Sequence, residues 1–264
     1  MLAEPERAVF VGVLLSVYFL CFWVHFGVLQ HAERAGWWAR HKIQPGAKED
    51  PALVREAITH AVVSHGISVP LAAWFGYDYF SARGMSFALA PLDLGTLGSA
   101  CCTLAVWHAL FDTWFYWTHR LLHHERIYKY VHKQHHRFKT PVGVAAVFAH
   151  PVEDLVVSLP STFIGPLLYR PGSHFALFAL YIGLRFHETV DAHSGYALPW
   201  SPWRWLGAMH GGAGRHDWHH SHQVGCYGGF TFWDWLCGTD KAYRAWKKQQ
   251  QQPSPSTKKV QKEQ

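Results

Sequence analysis

Long apolar runs recur along the first two thirds of the chain and predict membrane-spanning helices. Residues 8–29 form a run of 22 with one ionisable side chain, His25, and a helix needs about 20 residues to cross a bilayer core. A signal peptide is the alternative for this run. The run is too long for one, and its flank carries Glu4 and Glu6 rather than lysine. The pattern therefore favours a transmembrane helix.

Further runs extend the apolar pattern. Residues 57–80 are more polar and include His60, so their polar groups would have to face other helices rather than lipid. Residues 96–118 form a third run. Two shorter runs, 155–169 and 174–186, are separated by RPGS and predict a helical hairpin that either enters the membrane or packs in a buried core. We therefore predict an all-α integral membrane protein with about four transmembrane helices, counting the hairpin where it enters the bilayer.

Basic residues are unevenly distributed between the segments that connect these runs. Segment 30–55 carries five Lys or Arg residues, whereas segment 81–94 carries only Arg83. The positive-inside rule places the first segment in the cytosol and the second on the opposite side. The chain after residue 118 then returns to the cytosol, where we expect a helical cap.

The composition agrees with a membrane protein, since 49% of residues are hydrophobic and only 16% are charged. The net charge of +6 suits an anionic cytosolic leaflet, and we expect no nucleic-acid partner. Five cysteines without C-x-x-C spacing indicate structural thiols in a reducing compartment. We divide the chain into N-terminal membrane helices (1–95), a histidine-rich domain (96–248) and a disordered tail rich in Gln, Ser, Pro and Lys (249–264).

Histidine is the residue type that distinguishes the predicted cap. The chain contains 21 histidines, and several recur at helical spacing. HRLLH places two imidazoles at i and i+4, and HKQHH and HDWHH each place three at i, i+3 and i+4, so each set shares a helix face. A further histidine stands in HETVDAHSGY. The nine candidate metal ligands are His119, His123, His132, His135, His136, His193, His216, His219 and His220.

Nine imidazoles at these spacings indicate a metal site. A pH sensor needs only one or two histidines without fixed spacing, and Lys and Arg would dominate a nucleic-acid surface. Because a tetrahedral zinc ion takes four ligands, nine imidazoles imply two metal ions. Imidazole suits Zn, Cu, Fe and Ni. The absence of a Glu-x-x-His pattern argues against a ferritin-like site, and the position beside membrane helices favours an oxygen-activating iron pair over a hydrolytic zinc.

Carboxylates within or beside the motifs are candidates to accept the second N–H of a ligand histidine. The alternative for each is helix capping or a surface contact. The five candidates are Asp112, Glu188, Asp191, Asp217 and Asp234.

Longer stretches around the motifs resemble a known family. In chain order they are HRLLH, YKYVHKQHHRFKTPVG, AHPVED, ETVDAHSGYALPWS, GGAGRHDWHH and FTFWDWLCGTDKAYR. They resemble the fatty acid hydroxylase superfamily, and within it the C-4 methylsterol oxidases, over about residues 107–246. The chain departs from that pattern at Ala197, where some relatives have a further histidine, and at Cys226. His210 is an additional histidine that we expect to be incidental.

The resemblance implies a multi-pass monooxygenase of the endoplasmic reticulum membrane, with its site facing the cytosol. It implies that the nine histidines hold two iron ions and that O₂ oxidises a C-4 methyl group of a sterol. Electrons would come from NAD(P)H through cytochrome b5 and its reductase. Another lipid substrate is the alternative, as in a sterol desaturase, a sterol side-chain hydroxylase or a fatty-acyl or aldehyde-processing enzyme. A non-enzymatic protein, such as a metal-buffering transporter or scaffold, is a third alternative. Its metal ligands would lie near the bilayer midplane, whereas these histidine motifs follow the membrane helices.

Overall fold

The computed structural model describes residues 3–87, 94–170 and 174–250. Within these ranges every regular element is an α-, 3-10 or π-helix. Strand pairing is limited to two isolated bridges, Lys42 to Tyr196 and Ser86 to His174. The predicted all-α fold class is confirmed. The α-helices are α1 (Ala3–Tyr18), α2 (His25–Ala35), α3 (Pro51–Ser81), α4 (Leu94–Leu122), α5 (Glu125–Tyr128), α6 (Pro151–Glu153), α7 (Leu159–Leu168), α8 (Phe175–Ala192), α9 (Pro202–Trp205), α10 (Gly212–His222), α11 (Phe232–Cys237) and α12 (Lys241–Gln250).

The first two predicted spans are long helices in the structure. A π-helical segment, Phe19–Val24, joins α1 to α2 in one continuous rod, which ends at Gly36 in the left-handed conformation. Two helices in the described part of the chain are long and apolar enough to cross a membrane, Pro5–Ala35 and Pro51–Ser81. Large apolar side chains on these helices face outward, and Phe75 is 65% exposed. Such a surface suits contact with lipid.

The third predicted run, 96–118, lies within α4, and the predicted hairpin comprises the π-helical segment Asp154–Ser158 followed by α7 and α8. Helix α7 packs closely against α4. A Cβ atom at Gly165 of α7 would lie 2.7 Å from the Cα atom of Trp107, so glycine permits this approach. A total of about four spans stays a prediction, because in the described part of the chain only the first two helices combine the length and the hydropathy of a membrane span.

Parts of three predicted segments lie outside the described residues. These are 88–93 in the predicted outer loop, 171–173 in the hairpin connection, and 251–264 in the predicted tail. Helix α12 extends to Gln250, two residues into the segment that we assigned to the tail. The three domain boundaries stay predictions.

Two apolar cores join the membrane rods to the histidine-rich region through α8. One core includes both Ala57 of α3 and Val190 of α8. In the other, Phe10 of α1 packs with Phe178 of α8. Because His193 directly follows α8 at its C-cap, this helix fixes one candidate ligand relative to both membrane rods.

Candidate metal centre and cavity

All nine candidate histidines come together as two adjacent groups. Within each group the potential ligand atoms lie within 4.8 Å of one another. The five-histidine group is His119, His123, His132, His136 and His219, and the four-histidine group is His135, His193, His216 and His220. The groups adjoin, since the ring centroids of His136 and His220 are 4.7 Å apart.

Each H-x-x-H-H motif contributes to both groups. In HDWHH, His216 and His220 join the four-histidine group while His219 joins the five-histidine group. The physical reason is helical geometry, because neighbouring residues on α10 diverge by about 100°. In HKQHH the assignment is reversed: the first and last histidines join the five-histidine group and His135 joins the other. The two motifs therefore hold the two groups together as one centre.

The expectation that HKQHH lies on an α-helix is wrong. Helix α5 ends at Tyr128, residues 129–134 form turns, and His135–Arg137 is a 3-10 helix. These turns connect the end of α5 to the segment before α6. Within five residues they direct three imidazoles toward the two histidine groups. The motif HDWHH does lie on a helix, α10, as predicted.

The four-histidine group has the spacing of a coordination shell. The Nε2 atom of His193 is 3.3 Å from that of His135 and 2.9 Å from that of His216. The Nε2 atoms of His216 and His220 are 3.2 Å apart. Nitrogen ligands about 2.0–2.1 Å from one ion are separated by about 2.9 Å at a right angle and about 3.4 Å at a tetrahedral angle. The imidazoles therefore fit a shared metal ion.

The five-histidine group shows the same arrangement. The Nε2 atoms of His119 and His136 are each 3.0 Å from that of His132. The Nε2 atoms of His123 and His219 are buried and have no hydrogen-bond partner among the described residues. Buried polar atoms without a partner are rare in proteins. A cation within this group would satisfy them, so this donor set also fits a metal ion.

Backbone carbonyls orient four of the nine rings through Nδ1. With Nδ1–H donated outward, the Nε2 lone pair points inward, which is the tautomer that a metal ligand needs. The acceptors are the carbonyl oxygens of Tyr227 for His119 (2.7 Å), Thr189 for His193 (2.7 Å), Gly225 for His219 (2.6 Å) and Phe138 for His220 (3.0 Å).

Burial keeps these imidazoles neutral. It lowers the pKa of His193 to about 4 and that of His123 to about 2, with neighbouring imidazoles adding to the effect. The same two causes hold the pKa values of His135 and His219 well below the usual value. Neutral imidazole is the form that binds a metal ion, so the centre needs no deprotonation at pH 7.

The five expected carboxylates do not orient the clustered rings, because each bonds elsewhere. Asp112 accepts from the Phe230 N–H (2.8 Å), Asp191 from the Ser201 hydroxyl (2.9 Å), Asp217 from the Gln44 amide (2.8 Å), Asp234 from the Tyr227 N–H (3.0 Å) and Glu188 from His210 (2.8 Å). His210 thus lies outside both groups but is buried and bonded to Glu188. Sequence reasoning placed the carboxylates near the motifs correctly but assigned them the wrong partners.

Glu153 is the carboxylate that sequence reasoning missed. Its Oε2 atom accepts from Nδ1 of His132 at 2.9 Å, and both side chains are buried. Glu153 belongs to α6, a single turn whose first N–H groups are capped by the side chain of His150. The signal was present in the stretch AHPVED, which the family resemblance includes.

A cavity of about 530 Å³ leads to the centre. It is lined by histidines of both groups, namely His119, His132, His135, His193 and His216. Along α8 its lining extends from Phe178 to His193, a distance of about 22 Å for a helix. The end remote from the histidines is aromatic, with Phe10, Phe80 and Phe178 in its wall. The cavity has the volume and apolar lining of a small-molecule site.

The family model for fatty acid hydroxylase matches residues 104–239, the span that contains all nine histidines. The chain belongs to the fatty acid hydroxylase family. This confirms the resemblance drawn from the sequence. The two candidate membrane helices and the family together indicate a membrane enzyme, an oxidoreductase of the oxygenase class.

Several relatives of this chain carry names that state a function. Methylsterol monooxygenase 1 of Rattus norvegicus is 45% identical over 136 residues, which are 51% of this chain and 45% of the rat protein. Methylsterol monooxygenase 2-2 of Arabidopsis thaliana is 36% identical over 217 residues, 80% of this chain and 78% of the plant protein. A very-long-chain aldehyde decarbonylase of Oryza sativa is 37% identical over an equally long span with the same shares. No protein of solved structure matches the chain.

In this fatty acid hydroxylase, Glu153→Ala is expected to weaken metal binding by about 10–100-fold, the usual cost of removing an outer partner of a ligand. The ring of His132 loses its acceptor, so its orientation and basicity change. Metal affinity measured by competition with a chelator checks this result. Glu153→Gln is the matched control, because its amide oxygen still accepts from Nδ1 and should restore much of the affinity. Unchanged affinity in Glu153→Ala would contradict this role.

Proposed function

We propose that the nine clustered histidines bind two iron ions, one in each group. The spacing of the Nε2 atoms and the buried nitrogens of His123 and His219 support two shared sites. An all-imidazole set is compatible with several transition metals, and membership of an oxygenase family favours iron. Bound iron would supply the O₂ activation and redox chemistry that amino-acid side chains lack.

We further propose that the chain is a monooxygenase that oxidises a C-4 methyl group of a sterol. The observation that carries this proposal is the cavity, which joins an apolar, aromatic end to both histidine groups. A rigid four-ring lipid could lie along α8 with its oxidised end at the histidines. Relatives named methylsterol monooxygenase support this substrate class.

The protein's own contribution is binding, orientation and exclusion of water. Phe111 and Phe115 line the cavity on α4, two turns and one turn before His119, respectively. Phe178 and Ile182 line it on α8. These side chains provide an apolar wall against the ring system, and burial of the imidazoles keeps the reacting end dry.

For the setting of the enzyme, we propose the endoplasmic reticulum membrane with the histidine centre facing the cytosol. Electrons would come from NAD(P)H through cytochrome b5 and its reductase. The distribution of Lys and Arg supports this orientation, because segment 30–55, which leads into the first turns of α3, is rich in basic residues. On this side the centre is accessible to a soluble or peripheral electron donor.

The test is turnover of 4,4-dimethylsterol by the full chain in membranes with NADH, cytochrome b5 and its reductase. We expect O₂-dependent and NADH-dependent conversion of one C-4 methyl group to the alcohol and then to the carboxylate, identified by mass spectrometry. Omitting either O₂ or NADH should abolish the product. Intact sterol after incubation with iron-loaded protein would contradict the proposed substrate.

A very-long-chain aldehyde is the second candidate substrate. The rice relatives carry the name very-long-chain aldehyde decarbonylase and are as similar to this chain as the plant sterol enzyme, at 37% and 36% identity. A parallel incubation with a very-long-chain aldehyde separates the two substrates. Conversion of the aldehyde without conversion of the sterol would favour the second candidate.

A further inference from the structure

One wall of the cavity changes from polar to apolar along α3. The side chains of His60, Ser64, Ser68, Ala72 and Gly76 recur every four residues and all line the cavity. The first three are polar and the last two are small and apolar. Along this stripe, α3 therefore presents hydrogen-bonding side chains at one end of the cavity and small apolar residues at the other.

The polar end of this stripe is the end near the histidine centre. Glu56, one turn before His60, pairs with Arg137, which directly follows His136. The ring of His60 packs edge-on against Phe148 at 5.5 Å, and Phe148 in turn contacts Phe138 at 5.7 Å. The backbone carbonyl of Phe138 is the acceptor for His220.

His60 has an unused hydrogen-bonding atom at this position. Its Nε2 atom is buried and has no hydrogen-bond partner among the described residues. A buried polar atom without a partner costs free energy unless a ligand or water satisfies it. The cavity is the space into which such a partner would fit, because His60 lies in its wall.

Asp154 supplies an acceptor near His60. Its side chain lines the same cavity, and it lies close enough to His60 for the two side chains to interact electrostatically. Asp154 follows Glu153, whose carboxylate orients His132 of the five-histidine group. This adjacency fixes Asp154 at the metal end of the cavity.

Other polar groups in the cavity wall are already engaged. The Tyr18 hydroxyl and Nδ1 of His65 are hydrogen-bonded to each other at 2.8 Å. Arg185 forms a partly buried ion pair with Glu188, which neutralises its charge. Asp154 accepts from the Ser158 side chain, but its carboxylate has further lone pairs. His60 and Asp154 are therefore better placed to bind an uncharged polar group of a ligand.

We propose that His60 and Asp154 bind the 3-hydroxyl group of the sterol and thereby position its C-4 methyl group at the histidine centre. This assignment rests on the proposed function. In a sterol the carbon that bears the hydroxyl is bonded directly to C-4, so anchoring the hydroxyl fixes the methyl group beside it. The hydroxyl donates to the Asp154 carboxylate and accepts from the imidazole N–H of His60. The aromatic end, with Phe10, Phe80 and Phe178, then holds the sterol side chain.

The test compares two substrates on matched variants of the iron-loaded full chain. The substrates are 4,4-dimethylsterol and its 3-deoxy analogue, and the variants are His60→Ala and Asp154→Asn. We expect the wild type to prefer the hydroxylated substrate by about tenfold or more in kcat/KM, as for the loss of one hydrogen bond to a buried partner. In each variant the preference should fall toward one. The exposed His31 lies outside the cavity, so His31→Ala should keep the wild-type preference.

The preference ratio separates positioning from general damage. A variant that merely folds poorly loses activity on both substrates equally, which would overturn the assignment, as would an unchanged preference. Equilibrium binding of both sterols to the iron-loaded protein in detergent provides a readout that does not need turnover. If wild type binds the hydroxylated sterol more tightly through His60 without oxidising it, the proposed reaction fails and the assignment stands. If sterol is oxidised with no preference for the hydroxyl, the assignment alone fails.

Discussion

Replacing His219 by alanine is expected to abolish lipid oxidation and to remove metal from the five-histidine group. Its Nε2 atom is buried and unpartnered, and its Nδ1 is held at 2.6 Å by the Gly225 carbonyl. Loss of outer partners alone costs about 10–100-fold in metal affinity or activity, so loss of a ligand should lower turnover by more than about a hundredfold. Sterol oxidation and metal content, measured on the same preparation, check this result.

His135→Ala provides the corresponding test for the four-histidine group, since its Nε2 atom is 3.3 Å from that of His193. Both His219→Ala and His135→Ala should lose activity, although the two histidines belong to different groups. The matched control is His124→Asn. His124 is exposed, adjoins His123 and caps α5, and asparagine is also a good N-cap residue. Full turnover by either alanine variant would contradict the proposed centre.

Asp234→Ala is expected to destabilise the protein by about 3–5 kcal/mol, the usual cost of breaking a buried ion pair by removing one partner. Asp234 is completely buried and pairs with Arg215. Its carboxylate also accepts from the backbone N–H groups of Tyr227 and Gly228, at 3.0 and 2.8 Å. Without it, the buried Arg215 guanidinium loses its charged partner and two backbone N–H groups lose their acceptor.

The same change should also weaken the metal centre. The carbonyls of Gly225 and Tyr227, which orient His219 and His119, belong to the segment that Asp234 holds. Thermal unfolding of the detergent-solubilised protein, followed together with metal content, measures both effects. Glu125→Gln is the control, since Glu125 is exposed and its loss should cost little. Wild-type stability and metal content in Asp234→Ala would show that this segment does not depend on the carboxylate.

The candidate ligands could be predicted from the sequence because imidazole chemistry depends on residue type and spacing. HDWHH lies on α10 and HKQHH lies in turns, yet both motifs direct three imidazoles inward. The repeated spacing of the histidines therefore identified all nine without knowledge of the fold. The assignment of His135 and His219 to opposite groups was not predictable, because it depends on the angle at which each motif meets the other. Likewise, the irregular backbone at residues 129–134 is set by tertiary contacts.

The partners of the rings were also beyond sequence reasoning. Backbone carbonyls, such as those of Phe138 and Thr189, carry no signature in the sequence. Glu153 could have been suspected from AHPVED, but nothing local distinguishes it from Asp154 beside it. The fold class followed from long apolar runs. The number of spans did not, because helices such as α4 carry polar residues on the faces that contact the cavity and the other helices.

The number of iron ions bound per chain tests the central claim most directly. Iron quantified against protein in the reconstituted full chain should give about two ions for the wild type, since nine imidazoles in two groups supply two coordination shells. The double variant His216→Ala, His220→Ala removes half of the four-histidine group and should retain about one. Saturation of the wild type below two ions, or two ions retained by the double variant, would contradict a two-metal centre built from these histidines.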